Sequence, residues 1–208
     1  VDRIGSSRGS IRRYLFAALL MGAMAALSGC ATMYVDNGLK DVPTTAYRHP
    51  ASPQPVQMFF SFQSKGVPNT RATEILMKTS SDVVADSGLF IATSPNPVPS
   101  GALLSITVNN VPVTDDAFTK GFVTGLTMGL AGSTVTDGYV CTVVYQGMPG
   151  GVQLTKSVRH MIHTTIGAKG APADSTKASS VRAAITTVVH QCVGNALLSL
   201  STDLAFAP

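Results

Sequence analysis

Apolar and polar residues alternate along much of this chain, and in two stretches they recur at helical spacing instead. Val56, Met58, Phe60 and Phe62 occupy every second position, the period of a strand with one buried face. Lys65-Gly66-Val67-Pro68 turns the chain. Asn69 or Thr70 supplies a helix cap. Ala72, Ile75, Leu76, Thr79 and Val83 then recur at helical spacing up to Gly88, where a helix stops. Leu89 to Ala92 reads as a short strand, and Ser94 to Gly101, with Pro95, Pro97 and Pro99, as a loop. Leu104, Ile106 and Val108 alternate again toward Val113. Tyr139, Cys141, Val143 and Tyr145 predict another strand, and Gln146 to Gly151 a turn. Val152, Leu154, Val158, His160, Ile162 and Ile166 share one parity, so a long return strand is expected, with Lys156 as an exception or the mark of a strand bend. These two strands read as a hairpin. Asp174 or Ser175 is expected to cap a last helix whose buried stripe is Val181, Ile185, Val188, Cys192, Ala196, Leu197 and Leu200.

The order is strand, helix, strand, strand, glycine-rich segment, strand, strand, helix. It predicts a two-layer α+β domain, a mostly antiparallel sheet covered on one face by two helices. Residues 31–55 hold Pro43, Pro50, Pro53 and Pro55 and little apolar periodicity. They read as an extended tether ahead of one domain over 56–208.

Residues 118–135 fit neither period. Gly121, Gly125 and Gly129 are four apart and would form a smooth stripe on a helix, with Phe122, Leu126 and Leu130 on the stripe beside it. No charge occurs from Gly121 to Val135. Three readings stand open: a buried connection packed on the sheet, an oligomer contact through the glycines, or contact with a membrane, at its interface or as strands of an oligomeric pore. The stretch is too short to span as a helix, and a spanning hairpin would have to recruit Lys120 and Asp137.

The N-terminus carries a second uncharged run. Arg12 and Arg13 precede an apolar stretch from Leu15 to Leu27, shorter than the roughly 20 residues of a membrane-spanning helix. Basic flank, short apolar core and small-residue exit make a secretory signal. Its exit, Leu27-Ser28-Gly29-Cys30, resembles the lipobox of bacterial lipoproteins. The resemblance implies cleavage before Cys30 and lipid on that cysteine, usually as three acyl chains such as palmitate. One chain binds a membrane only marginally, whereas two or more anchor stably. The organisation expected is a signal peptide over 1–29, a lipidated cysteine and tether over 30–55, and a periplasmic domain over 56–208. Ala31 and Thr32 follow the cysteine where lipoproteins retained in the inner membrane favour aspartate, so the outer membrane is expected.

This cleavage changes the charge picture. The net charge of +4 comes largely from Arg3, Arg8, Arg12 and Arg13, and the mature chain is close to neutral. Its basic residues are scattered, which excludes the clustered basic face of a nucleic-acid-binding protein.

Candidate chemistry is sparse. Cys141 and Cys192, an even pair in an oxidising compartment, are either a disulfide or two buried thiols. His160 and His163 are three apart, and on a strand such positions face opposite ways. Cys141, Cys192 and His190 are the only further ligands on offer, and no metal site is expected. The chain has no G-x-S-x-G elbow and no phosphate loop, and Asp82, Asp86, Asp115 and Asp116 read as ordinary helix-face and turn acids.

The element order of residues 56–203, and the glycine-rich segment ending in Thr136-Asp137-Gly138-Tyr139, resemble small, largely uncharacterised envelope lipoproteins. Their domains are similar to the periplasmic domain of the curli secretion channel and to the amino-terminal domain of the Tol-Pal-associated propeller protein. Cys30 is the one functional residue carried over. The expectation is a non-enzymatic lipoprotein without cofactor, anchored through Cys30 and binding a protein, an envelope polymer or its own copies. The alternatives are a subunit of an oligomeric outer-membrane secretion pore and a small periplasmic hydrolase.

Overall fold

The alternating segments pair into one sheet. The computed structural model describes residues 31–113, 133–166 and 170–206. Its strands are β1 (Thr32–Asp36), β2 (Val56–Ser64), β3 (Val67–Pro68), β4 (Thr93–Ser94), β5 (Leu103–Pro112), β6 (Ser133–Gln146), β7 (Gln153–Ile166) and β8 (Ser175–Lys177). The helices are α1 (Thr70–Asp86) and α2 (Val181–Ser201). The strand order is β3-β2-β5-β6-β7-β1-β8, with β4 beside β2. All pairs are antiparallel except β2–β5 and β2–β4. The fold is α+β: α1 packs on β2, α2 packs on β6, β7 and β1, and the helices pack on each other.

Period-two side chains build the core. Met58, Phe60 and Phe62 of β2, Leu104, Ile106 and Val108 of β5, and Tyr139, Cys141 and Val143 of β6 are buried. Leu76, Val83 and Val84 of α1 and Val188, Cys192, Val193, Leu197 and Leu200 of α2 close over them. Lys65 and Gly66, at φ 54° and 79°, turn β2 into β3, a two-residue turn that needs left-handed backbone at both positions. The Asn69 side chain accepts the Ala72 N–H at 3.0 Å and starts α1. Gly88, at φ 64°, follows the end of α1 in the left-handed conformation expected there.

Residues 31–55 are not a tether. Thr32–Asp36 is a strand held between β7 and β8, and Val35 faces the core. The following residues lie across α2. Asn195 donates to the Lys40 carbonyl at 2.8 Å, the buried Tyr47 hydroxyl donates to the Gly194 carbonyl at 3.3 Å, and the Arg48 N–H donates to Ser201 Oγ at 3.2 Å. Tyr47 and Val42 lie 3.4–3.7 Å from where a Cβ on Gly194 would stand, ordinary contact distance, so the segment packs directly on this turn of the helix.

Four smaller expectations change. Leu89–Ala92 is irregular, and the strand there is only Thr93–Ser94. Ser180, not Asp174 or Ser175, caps α2 by accepting the Ala183 N–H at 3.1 Å, because residues 175–177 are drawn into the sheet as β8. Ile75 and Val181 lie on expected buried stripes but are exposed. Ile166 is exposed as well, since the burial pattern of β7 shifts beyond His160 and buries Met161 and Thr165. Cys30, Gly121, Gly125, Gly129, Phe122, Leu126 and Leu130 lie outside the described residues.

Candidate binding groove

Ile75 and Val181 are exposed because the two helices start apart. β2 and β5 end, and β6 begins, beneath the N-termini of α1 and α2, and the helices leave a groove of about 450 Å³ between them. Phe62 and Tyr139 floor it with rings 6.4 Å apart, and Ala72, Ile75, Leu76, Val181 and Ile185 wall it. Ser64, Asn69, Asn110 and Arg182 are its polar groups. Three of the four already have partners. Asn69 spends its oxygen on the helix cap and donates its amide to Ser64 Oγ at 3.3 Å, and Asn110 donates to the Gly138 carbonyl at 3.4 Å. Burial, then the negative charge of Asp137, pushes the Tyr139 phenol well above its ordinary range, so it stays protonated. Arg182 is in the first turn of α2, and neither helix has an acidic side chain in its first turn. The groove thus joins an apolar interior to a positive rim, because helix N-termini carry positive partial charge. Among the described residues no His, Cys, Asp or Glu lines it.

A second cavity, also about 450 Å³, lies between β1, β8 and α2. It is polar, with Asp36, Asn37, Lys40, Thr176, Lys177 and Gln191 among its lining residues. The histidines of the sequence motif lie beside it. The Met161 N–H donates to His160 Nδ1 at 2.9 Å, so Nε2 carries the proton and donates to Gln191 Oε1 at 2.7 Å. Burial lowers the His160 pKa, and the hydrogen bond to Gln191 acts the other way. His163 pairs instead with Thr136 Oγ1 at 2.9 Å and lies 3.8 Å from an Asp36 oxygen. His160 and His163 therefore bind different partners. His190 is 3.0 Å from Asp41 on the outer side of α2. Among the described residues no three His, Cys, Asp or Glu side chains group as metal ligands.

Cys141 and Cys192 are free thiols facing each other across the sheet–helix interface, both fully buried. Burial raises both, Cys192 to about 12, so both are neutral thiols and poor nucleophiles. Lys156, the polar exception in β7, pairs with Asp203 at 2.7 Å just beyond the end of α2. Its inward-facing position is filled by an ion pair and not by a bend. The groove itself escapes sequence reasoning, since periodicity assigns Ile75 and Val181 to buried stripes. The trace it leaves is the pair of helix starts, at the caps Asn69 and Ser180.

No family model and no curated protein matches the chain. Among solved structures, a PelC dodecamer from Paraburkholderia phytofirmans is similar over 83% of this chain and 97% of its own, at 12% identity and a TM-score of 0.35. A second PelC dodecamer from the same organism covers 84% and 99%, at 11% identity and a TM-score of 0.33. A Helicobacter pylori protein described as a neuraminyllactose-binding hemagglutinin homolog covers 75% and 87%, at 12% identity and a TM-score of 0.43.

Proposed function

We propose that this chain is a non-enzymatic lipoprotein of the bacterial envelope, held to the periplasmic side of the outer membrane by lipid on Cys30. Its domain binds an apolar segment of a protein partner that carries acidic residues beside the apolar ones. The groove supports this reading. Its walls offer burial to inserted apolar side chains, and its rim offers Arg182 and two helix N-termini to carboxylates. Ile75 and Val181, large and exposed at its lips, are the side chains such a segment would cover.

Site-specific photocrosslinking tests it. A crosslinker at Ile75 or Val181 is expected to give one discrete adduct in intact cells, and Arg182→Glu is expected to weaken it at least tenfold. A crosslinker at Met148, in the β6–β7 turn, is expected to give none. Adducts of equal yield at all three positions, or adducts indifferent to Arg182→Glu, would overturn the groove as the binding site.

A further inference from the structure

The position of β1 fixes where the N-terminus leaves the domain. Thr32 is opposite Thr165 of β7, and Thr165 is opposite Thr134 of β6. β1 therefore begins at the end of the sheet where β7 finishes and β6 starts. β2 and β5 run toward the same end but stop short of it: Ser64 is beside Asn110 and Asn110 is opposite Tyr139, about 17 Å along β6 from Thr134, and both helices begin around the groove at that level. Cys30 precedes Thr32 by two residues, and two residues of extended chain span at most about 7 Å. With no tether, a lipid on Cys30 draws this end of the domain onto the bilayer.

We propose that the end of the sheet marked by Thr32, Val135 and Ile166 rests on the bilayer surface against anionic lipid headgroups, with Val67 and the groove set back from it and the groove opening toward the membrane. The proposal rests on the lipid-anchor reading. Two further observations support it. Val67, Val135 and Ile166 are exposed at 66%, 49% and 42%, apolar side chains suited to the headgroup–acyl boundary. Lys65, Arg71, Lys177 and Arg182 are at the same end, against Glu74 and Asp137, and both helix N-termini add positive potential. The opposite end also exposes apolar groups, among them Met148 and Val152, so apolar exposure alone does not choose between the ends. The reach of the chain from Cys30 and the charge do.

The full, lipidated chain in vesicles of phosphatidylethanolamine and phosphatidylglycerol tests this. Val67→Cys, Val135→Cys and Met148→Cys are each labelled with a fluorophore, the buried Cys141 and Cys192 being inaccessible. Quenching is then read from lipids carrying a headgroup nitroxide. The Val135 label is expected to be quenched at least threefold more than the Met148 label, which β6 holds about 40 Å away, and the Val67 label, about 30 Å from Met148, to fall between them. Replacing phosphatidylglycerol with phosphatidylcholine is expected to reduce that contrast about twofold. Equal quenching at both ends, or stronger quenching at Met148, overturns the orientation. An unchanged contrast in phosphatidylcholine overturns the role of headgroup charge. A chain whose intact mass shows no lipid on Cys30 overturns the anchor and the orientation together, which separates that failure from a wrong orientation of a lipidated chain.

Discussion

Ser80 is fully buried on α1, and its hydroxyl has no hydrogen-bond partner among the described residues. A buried unsatisfied hydroxyl costs about 1–3 kcal/mol, so Ser80→Ala is expected to stabilise the domain by about 1 kcal/mol in denaturant titration. Cys141 and Cys192 make a second prediction. Both are neutral buried thiols, so the native domain is expected not to react with a thiol reagent, while the denatured chain exposes both. A denatured domain that still fails to react without reductant would show them bonded. His160 sets a pH dependence. Its folded pKa is lower than its unfolded value of about 6.5, so above that pH neither state is charged there and the site's full stability is present. Below about pH 6.5 the unfolded chain takes up the proton first, and stability falls until the folded pKa is passed. Tm is expected to drop between pH 7.5 and 5, with a smaller drop in His160→Gln.

Elements differ in how far the sequence announces them. β2, β5, β6 and β7 were legible because a run of each alternates between inward and outward side chains, and α1 because Asn69 caps it where the apolar spacing changes. Asn69→Ala is expected to cost about 1 kcal/mol in the same titration. β1 and β8 were not legible. They are five and three residues long, only Val35 of β1 is buried, and their order comes from hydrogen bonds to distant β7 and to each other. Prolines over 43–55 likewise signal an extended chain whether it hangs free or lies on a helix. Tyr47 is the residue that separates those two states. As a free tether residue its loss would be silent, whereas Tyr47→Ala is expected to destabilise the domain by about 3 kcal/mol, because the buried ring against α2 is removed. The groove was hidden for a related reason: helical spacing marks which side chains share a face, not whether the neighbouring helix reaches them.

At the scale of the whole molecule, incorporation of residues 32–49 changes what a lipid anchor would do. A flexible tether would leave the domain free to sample the periplasm. A strand beginning two residues after the proposed anchor would fix both its height and its facing, and would turn the positive, groove-bearing end toward the membrane. A partner for the groove would then be one that is itself at the membrane surface. Lengthening the link between Cys30 and Thr32 with about ten glycine and serine residues is expected to keep the chain membrane-bound while lowering the crosslinking yield at Ile75 and Val181. All of this hangs on Cys30. The most direct measurement is the intact mass of the protein extracted from membranes. The expected mass is that of a chain starting at Cys30 with acyl chains added, and Cys30→Ala is expected to abolish the lipidated species. A membrane-extracted chain that keeps residues before Cys30, or carries no lipid there, would contradict the anchor.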